Sequence, residues 1–283
     1  MPTTGRGRTE NFYDIITRAI EDVTVNGFDS AERIEYWRKR IREAASNTLP
    51  SQSNLESQLR ESMIRVYRRM IDKGEIIKFH SGVPRFMLQK VRPHMRVELD
   101  RRILAAASLI KLNREAAIEK TLQRFTGWST SIPKGGSRAV QKGDTKKDIR
   151  KSLTSLPFEE RRVLIDQGHK LVASLNNVLA VDGKAIALIW HSHWRQAGYK
   201  YRPDHKERDE QVYMLRDNWA QEKGFVKVGK SGYYDEITSV GEEPFCRCYA
   251  QYLYNIGSVP KELLTKKGAD ALAEARAEIR RAA

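Results

Sequence analysis

Residues 184–194, KAIALIWHSHW, mark the point at which the hydrophobic pattern of the chain changes from helical to extended. The apolar residues of this stretch run together and partly alternate with others, which is typical of a β-strand, so we predict a strand over residues 185–192. Three shorter segments downstream, QVYML, GFVKV and CRCYAQYLY, are further strand candidates. Because most of the remaining chain repeats its apolar residues at helical spacing, the sequence predicts an α+β fold that is predominantly α.

The half of the chain before this strand has the pattern of a helical domain with one small hairpin. Apolar residues recur every three or four positions, and the capping-box pattern Asp29-x-x-Glu32 predicts the start of the second helix. Two short β-like runs around Ser81-Gly82 predict the hairpin. Pro93 then predicts the start of a long helix, because proline is favourable in a first helical turn. The predicted helices cover residues 12–26, 29–49, 55–70 and 93–125.

A segment rich in glycine and basic residues interrupts this helical pattern. It reads GWSTSIPKGGSRAVQKGDTKKDIRKS from Gly127, and its composition predicts a basic linker or mobile loop over residues 129–152. The sequence therefore predicts a helical N-terminal domain over residues 1–128 and a mixed α/β C-terminal domain over residues 153–258, which opens with a helix starting at Pro157. A tail helix over residues 259–283 is weakly amphipathic, and we expect it to dock on a partner or fray rather than join the core.

Composition gives the first indication of a partner. The 283 residues include 51 Lys or Arg against 36 Asp or Glu, a formal net charge of +15, which favours a polyanion, and nucleic acid first. The longest apolar run, ILAAASLI, is much shorter than the roughly 20 residues of a membrane helix. Residues 1–10 lack the apolar core of a signal peptide. We therefore expect a soluble protein made in a cytosol.

Two sets of basic residues are the candidate DNA contacts. One lies on the polar side of the third predicted helix and the other lies in the basic linker, and both would contact phosphates without reading bases. The sets are Arg60, Arg65, Arg68 and Arg69, and Lys134, Arg138, Lys146, Lys147, Arg150 and Lys151. The sequence has no glycine-rich phosphate loop, so no nucleotide cofactor is implied.

The chain's two cysteines lie one residue apart, downstream of a histidine and an aspartate that are four apart. If Pro203 starts a short helix, His205 and Asp209 project from one face of it. On a strand, Cys246 and Cys248 also share a face. The sequence thus allows a pocket with one imidazole, one carboxylate and two thiols. Two interpretations stay open: a structural lock that ties the helix to the strand without any cofactor, or a structural zinc site on the same four residues.

The order of residues around this pocket resembles the signature of a known family. The chain carries Arg202-Pro203-x-His205-x-x-x-Asp209, then Val212-Tyr213, then Cys246-Arg247-Cys248. This order is similar to the C-terminal signature of the phage Mu F-like head morphogenesis family of minor head proteins, which reads approximately Arg-Pro-x-His, three residues, Asp-Gly, a hydrophobic pair, a gap and Asn-Cys-Arg-Cys. Glu210 stands where the family usually has Gly, which would permit a positive φ, and Phe245 stands where it usually has Asn. The similarity covers roughly residues 186–252.

The resemblance implies a structural function in a tailed-phage head. Such minor head proteins are present in few copies, associate with the portal vertex during assembly and in some members leave with the DNA. The implied partners are the phage portal protein, the major capsid or scaffolding protein, and packaged double-stranded DNA bound without sequence specificity, with no membrane. The implied location is the virion head interior or portal vertex, and the host cytoplasm during assembly. The motif residues that would form the lock are Arg202, Pro203, His205, Asp209, Cys246, Arg247 and Cys248, and the resemblance implies no settled catalytic activity.

An alternative from another class is a metal-dependent nuclease or related hydrolase. His191, His193, His205 and Asp209 are the residues it would use, since imidazoles and carboxylates can hold a metal and activate water. The acidic residues nearby are spread too evenly to form a recognisable acid cluster, so we do not expect an enzyme. A cytosolic nucleic-acid-binding regulator is a third interpretation, but the chain has no helix-turn-helix or zinc-finger spacing.

Overall fold

A computed structural model describes residues 11–282, which fall into two compact units. The first unit consists of Met1–Gln58 and Ala106–Val163, and the second consists of Leu59–Ala105 and Leu164–Ala283. Each unit is built from two separate segments, whereas the predicted domains follow one another along the chain. The predictions made for residues 1–10, namely the start of the helical domain and the lack of a signal sequence, lie outside the described residues.

The secondary structure confirms an α+β fold that is predominantly α, with one small antiparallel sheet. The helices are α1 (Phe12–Asn26), α2 (Ala31–Thr48), α3 (Gln52–Tyr67), α4 (Phe86–Ser131), α5 (Lys142–Asp182), α6 (Pro203–Glu207), α7 (Trp219–Glu222) and α8 (Lys266–Ala282). The strands are β1 (Ala187–His191), β2 (Val212–Met214) and β3 (Tyr249–Leu253). Within residues 11–282, no helix combines the length and the apolar content that crossing a membrane would require.

The first unit is a helical core in which α1 and α2 contribute most of the apolar side chains. The buried residues of α1 recur at helical spacing, as the sequence predicts. Trp37 of α2 lies in this core, and its indole N–H donates to Asp22 Oδ2 of α1 at 2.6 Å. The remaining core residues include Ile118, Leu122 and Phe125 of α4 and Ile149 of α5. A buried aromatic ring whose polar N–H finds an acceptor satisfies both packing and hydrogen bonding.

The predicted basic linker is wrong for most of its length. Helix α4 continues to Ser131 and α5 begins at Lys142, so only residues 132–141 connect them. This connection lies against the end of α1, where the Ser137 N–H donates to Thr24 O at 2.9 Å. Gly136 has a φ of +84°, and a Cβ there would come within 2.3 Å of Thr24 O. Gly136 therefore serves a close backbone contact rather than flexibility.

Three helix starts also differ from their predictions. Ser30, not Asp29, caps α2, because its Oγ accepts the Arg33 N–H at 3.2 Å while Asp29 pairs with the Arg33 guanidinium at 3.1 Å. Pro157 lies inside α5 instead of opening a helix. Pro93 likewise lies inside α4. A proline removes only one N–H from a helix, and these helices are long enough to continue on either side of it.

The predicted hairpin after α3 is wrong. Residues Arg68–Asp72 form a π turn, Glu75–Phe79 form a 3-10 helix, and α4 begins at Phe86. Leu88 and Val91 of the second β-like run are buried in α4 and continue at helical spacing into the long helix predicted from Pro93. The buried repeat is Leu88, Val91, Met95, Leu99 and Ile103. The helical repeat of apolar residues, and not the short alternating runs, therefore determines the structure of the start of α4.

The sheet of the second unit has the strand order β2-β1-β3, with both pairs antiparallel. Leu188 in the central strand lies opposite Tyr213 on one side and Tyr252 on the other. Because side chains alternate between faces, these three residues share one face with Trp190, and they form one apolar cluster that also contains both cysteines. The other face packs a second cluster that includes Ile186, Ala187, Met214 and Leu253.

Two strand predictions fail in detail. GFVKV forms no strand, and only Val226 makes a single bridge, to Leu264. The cysteines precede β3 and lie in a loop, so they do not share a strand face. Strand β3 itself lies within the predicted segment CRCYAQYLY but begins only at Tyr249.

The first part of the tail belongs to the core, contrary to the prediction. Val259 and Leu263 are buried in the second apolar cluster, and the Lys227 N–H donates to Leu263 O at 2.9 Å. Gly268 lies so close to Phe225 that a Cβ would come within 2.0 Å of its carbonyl oxygen. From residue 273 onward the described part of α8 is exposed. Only this distal part fits the expected free helix.

Candidate functional site

Helix α6 places one histidine in the interior of the second unit. Pro203 occupies the first helical position, as predicted, since its missing N–H has no helical partner there. His205 follows in the same turn, and its side chain is only 2% exposed. Its ring packs edge-on against Trp190 of β1 at a centroid distance of 5.3 Å. The short helix therefore points an imidazole into the core beneath the sheet's central strand.

Both cysteines meet this histidine. The cysteine loop, residues 242–248, brings Cys248 Sγ to 3.4 Å and Cys246 Sγ to 3.7 Å from His205 Nδ1. Both cysteines are free and buried. The predicted convergence of one imidazole and two thiols is thus present, although the cysteines reach it from a loop rather than a strand.

Asp209 does not join this cluster, and the prediction that it shares a helix face with His205 is wrong. Helix α6 ends at Glu207, so Asp209 lies beyond it. Its Oδ1 accepts the Ser192 N–H and its Oδ2 accepts the Trp194 indole N–H, both at 2.7 Å. Burial alone raises the pKa of Asp209, but these two hydrogen bonds and Arg195 outweigh burial and lower the pKa below its usual value. Asp209 therefore fastens the end of β1 to the turn after α6.

The opposite edge of the imidazole faces a carboxylate. His205 Nε2 lies 3.5 Å from Glu243 Oε2, and Arg202 Nε pairs with the same oxygen. The Arg202 guanidinium also donates to Pro244 O at 3.0 Å. Arg202 therefore links the start of α6 to the cysteine loop. Arg247, the other basic residue of the motif, is exposed and lies over the Tyr199 ring instead.

Two residues of α5 that the sequence did not suggest hold the cysteine loop in place. Asp166 Oδ1 accepts the Phe245 N–H at 2.6 Å, and Lys170 Nζ donates to Glu242 O at 2.9 Å. The two side chains lie 3.6 Å apart, and neither is more than 10% exposed. An acid and a base four apart on the apolar side of a helix are the only sequence signal of such a pair.

The two thiols shift each other's pKa in opposite directions. The hydrogen bond from Cys248 lowers the pKa of the Cys246 thiol to about 5 against the opposing effect of burial, with the Gly241 backbone N–H also favouring the thiolate. Because Cys248 donates that proton and is itself buried, its own pKa is raised. Trp190 Nε1 and Ser192 Oγ act on Cys248 in the sense that favours its thiolate, although neither makes a hydrogen bond of standard geometry. The site thus favours one negative charge on sulfur over none.

An open cavity of about 380 Å³ lies next to the sulfur atoms. Its lining includes both cysteines with His169 and His193. Burial lowers the pKa of His169, and the nearby Arg247 charge lowers it further. His191, in contrast, stacks on the Tyr249 ring at 4.8 Å. The histidines and aspartate of the hydrolase alternative are therefore divided among four environments: His205 with the thiols, Asp209 with Ser192 and Trp194, His193 at the cavity, and His191 on the Tyr249 ring.

The first candidate DNA-contact set lies exposed in the second unit. Three of its arginines make ion pairs: Arg60 with Asp100 at 3.8 Å, Arg65 with Glu61 at 2.8 Å, and Arg69 with Glu75 at 3.3 Å. Arg68 has no ion pair with any residue in the described range 11–282. Arg65, Arg68 and Arg69 also border a groove of about 700 Å³. Exposed pairs of this kind exchange readily for a phosphate partner.

The second candidate set lies in the first unit, mostly on the exposed side of α5. Lys134, Arg138, Lys147 and Lys151 are exposed. Lys146 instead donates to Thr17 Oγ1, and the Arg150 guanidinium lies 5.4 Å from the centre of the Tyr13 ring. Lys146 and Arg150 therefore help to pack α5 on α1 and are only partly available to a partner.

Among residues 11–282, two groups of side chains have ligand atoms close enough to hold one metal ion. The first consists of His205, Cys246 and Cys248, and the second of Asp204, His205 and Glu243; in each group the ligand atoms lie within 4.8 Å of one another. Asp209 belongs to neither group. His205 is common to both, through Nδ1 in the first and Nε2 in the second.

Comparison of the chain with family models, with curated proteins and with solved structures found no match. The residues of the site and their geometry are therefore the basis for assigning a function.

Proposed function

We propose that this chain is a minor structural protein of a tailed-phage head, acting in head morphogenesis at the portal vertex and contacting packaged DNA. The observation that carries the proposal is the backbone at two motif positions. Glu210 has a φ of +64° and Phe245 a φ of +60°, where the Mu F-like signature usually has Gly and Asn. Gly and Asn are the two residue types that most readily adopt the left-handed region.

This agreement is specific because positive φ is uncommon outside glycine. Among residues 11–282 only two other non-glycine residues, Lys184 and Asp217, have it. Glu210 and Phe245 differ from the family pattern in residue type, but both have the positive φ that the family's usual Gly and Asn favour. The separated pieces of the motif also form one substructure, since Arg202 contacts Pro244 and His205 contacts both thiols. The order of the motif residues and their contacts support the proposed relation to the Mu F-like family.

The charge of the chain suits a location beside packaged DNA. A formal net charge of +15 with exposed arginines and lysines in each unit favours weak contacts to phosphates. Inside a filled head the phosphate concentration is high enough for weak contacts to be occupied. Portal protein and the major capsid or scaffolding protein are the protein partners that the proposed role requires.

Quantitative mass spectrometry of purified particles tests this role. The samples are DNA-filled virions and DNA-free heads of the phage or prophage that encodes the chain, with affinity-purified portal protein as a third sample. We expect a few copies per particle in both head forms and co-purification with the portal. A chain that is missing from both particle types and from the portal sample is not a head protein.

A genetic arm uses the motif itself. Deleting the coding sequence should leave defective heads, and the wild-type chain supplied from a plasmid should restore infectious particles. Supplying Arg202→Ala should restore fewer particles, because this change removes the link between α6 and the cysteine loop. Arg276→Ala, on the exposed part of α8, is the matched control and should restore as well as wild type.

A further inference from the structure

We propose that His205 Nδ1, Cys246 Sγ and Cys248 Sγ bind one Zn²⁺ ion, with a water molecule as the fourth ligand. The proposal concerns how the second unit is held together and stands apart from any role in a phage head. Both cysteines would bind as thiolates, and any proton that a sulfur still carries would be released to solvent.

The distances between the three ligand atoms fit a tetrahedral zinc site. With Zn–S near 2.3 Å and Zn–N near 2.0–2.1 Å, a tetrahedral ion places a nitrogen and a sulfur ligand about 3.5 Å apart. The observed separations from Nδ1 are 3.4 Å to Cys248 Sγ and 3.7 Å to Cys246 Sγ. All three residues are buried, at 2%, 2% and 6% exposure for His205, Cys246 and Cys248. A set of soft and borderline ligands at this spacing matches zinc rather than magnesium or calcium.

The surroundings of His205 Nε2 are those expected for the nitrogen of a histidine ligand that does not bind the metal. When Nδ1 binds a metal, the proton of the neutral imidazole must sit on Nε2, and such an N–H usually faces a carboxylate. His205 Nε2 is buried without a hydrogen-bond acceptor among the described residues, and Glu243 Oε2 lies 3.5 Å away. Arg202 in turn fixes Glu243. A small movement of Glu243 toward His205 would complete the hydrogen bond from Nε2–H to Glu243 Oε2.

Two buried donors lie beside the cysteines without acceptors of their own. Trp190 Nε1 and Ser192 Oγ have no hydrogen-bond partner among residues 11–282, and Trp190 is fully buried. An unsatisfied buried N–H is costly, but a thiolate sulfur that stays charged at neutral pH can accept from it. Metal-bound Cys248 would be such an acceptor. A neutral core of two thiols and an imidazole leaves these donors unexplained.

The fourth position is assigned to water because no further His, Cys, Asp or Glu among residues 11–282 has a ligand atom close enough to join this group. Both oxygens of Asp209 are already engaged by Ser192 and Trp194. Both cysteines line the open cavity of about 380 Å³, which has room for water. The competing group of Asp204, His205 and Glu243 offers two carboxylates, of which Glu243 is engaged by Arg202 and Asp204 by Arg208 at 2.9 Å. Zinc is therefore expected on the thiol side of the ring.

Metal analysis of the untagged full-length chain tests the proposal. Protein purified without a metal-affinity step should contain one zinc per chain by elemental mass spectrometry. Replacing zinc with Co²⁺ should give thiolate-to-cobalt charge-transfer absorption and the visible bands of a tetrahedral ion. Wild-type protein that takes up neither metal, and whose thermal melt is the same with and without a chelator, overturns the proposal.

Matched variants locate the ligands. Cys246→Ser and Cys248→Ser should each lose the bound zinc and the charge-transfer absorption, whereas Asp209→Asn should keep one zinc per chain. If Asp209→Asn loses zinc as completely as the cysteine variants while its circular dichroism is unchanged, the ligand set proposed here is wrong. If a cysteine variant fails to fold, the cobalt titration of the wild-type chain still decides, because missing bands there contradict the site.

The contact between Glu243 and His205 gives a graded readout. Glu243→Gln should lower zinc affinity by about 10- to 100-fold in competition with a chromophoric chelator, the usual effect of removing an outer carboxylate. Glu242→Gln is the neighbouring control and should leave the affinity unchanged, since the Glu242 carboxylate accepts the Ser239 N–H, which a glutamine oxygen can also accept, and Lys170 contacts only the Glu242 backbone carbonyl. Equal affinities for wild type and Glu243→Gln would contradict the assigned orientation of the imidazole.

Discussion

Asp166 Oδ1 accepts the backbone N–H of Phe245 at 2.6 Å and so joins α5 to the loop that carries both cysteines. Phe245 has a positive φ, and the loop turns back at this residue toward His205. Lys170, one helical turn beyond Asp166, donates to the loop's other end at Glu242 O. The position of the thiols is therefore set from the helix as well as from the loop.

Breaking this anchor should destabilise the second unit. Asp166→Asn keeps the shape of the side chain but leaves the Lys170 charge buried without its partner, which we expect to cost about 3 kcal/mol in the free energy of unfolding. Urea unfolding followed by circular dichroism measures it. Adding Lys170→Met should recover part of the loss, because the two changes share one interaction. Asp270→Asn on exposed α8 should change stability by less than about 0.5 kcal/mol. A fully additive double variant would mean that the pair does not interact.

Glu210→Gly should stabilise the protein. The left-handed backbone at Glu210 costs a residue with a side chain about 1–2 kcal/mol, which exceeds the conformational entropy that glycine adds to the unfolded chain. The one ion pair lost, with Arg195 at 3.9 Å, is exposed and weak. We expect a net gain of about 0.5–1 kcal/mol by chemical denaturation. Glu274→Gly, in the regular helix α8, should give no gain, and a gain of the same size there would show that the backbone conformation is not the cause.

Two truncations separate the structural part of the tail from its free part. A chain ending at Leu272 loses only exposed residues of α8 and should melt at the same temperature as the full chain. A chain ending at Tyr254 loses Val259 and Leu263, two buried side chains that contribute about 1.5–3 kcal/mol each. It should therefore be less stable by at least about 3 kcal/mol. Equal melting temperatures for the two truncations would mean that residues 255–272 do not support the core.

Features that depend on neighbours in sequence could be predicted, and the structure shows why. Pro203 at the start of α6, the apolar repeat of α1 and the extended run of β1 are local patterns, and each element is where the sequence puts it. The meeting of His205 with the two cysteines was also predictable, because these residue types in this order have few other uses. A family resemblance added the order of the pieces but not their contacts.

Features set by distant backbone groups could not be predicted. Asp166 and Lys170 bond to a backbone N–H and a carbonyl more than 70 positions away, and every residue type offers those groups. Asp209 shows how one boundary decides a site. Because α6 ends at Glu207 and Glu210 turns left-handed, Asp209 faces Ser192 instead of the thiols. A helix longer by one turn would have placed it as predicted.

Binding of DNA by the second unit should be electrostatic and indifferent to sequence. Reversing both Arg68 and Arg69 to Glu should weaken binding to all duplexes alike and lower the slope of log affinity against log salt by about two, because two phosphate contacts are lost. Fluorescence anisotropy at several salt concentrations measures this. Arg276→Glu with Arg280→Glu is the matched control: each double reversal changes the formal charge by two times −2, from +15 to +11. Identical slopes for both double variants would mean that net charge alone, not this surface, binds DNA.

His80 should give the second unit a defined sensitivity to acid. It is fully buried, its Nε2 contacts Asn176 Oδ1 at 2.8 Å, and its Nδ1 contacts the Tyr254 hydroxyl. Because Asn176 uses its own N–H₂ group on Val172 O, its oxygen accepts from Nε2–H, and Nδ1 accepts from Tyr254. The neutral imidazole is thus fully satisfied. Burial lowers the pKa of His80 to about 4, against a smaller opposing effect of the Asn176 hydrogen bond.

The sign of the pH effect follows from which state binds the proton. The unfolded chain protonates His80 near pH 6.5 and the folded chain only near pH 4, so between these values the unfolded state holds more protons. Stability from this residue is complete above pH 6.5 and falls as the pH drops toward 4, by up to about 3 kcal/mol. In urea unfolding at pH 4.5 to 7, His80→Gln should be less stable at pH 7 but lose less stability on acidification. His94→Gln, at an exposed histidine, should keep the wild-type slope. If all three proteins show the same slope, His80 binds its proton equally well in both states.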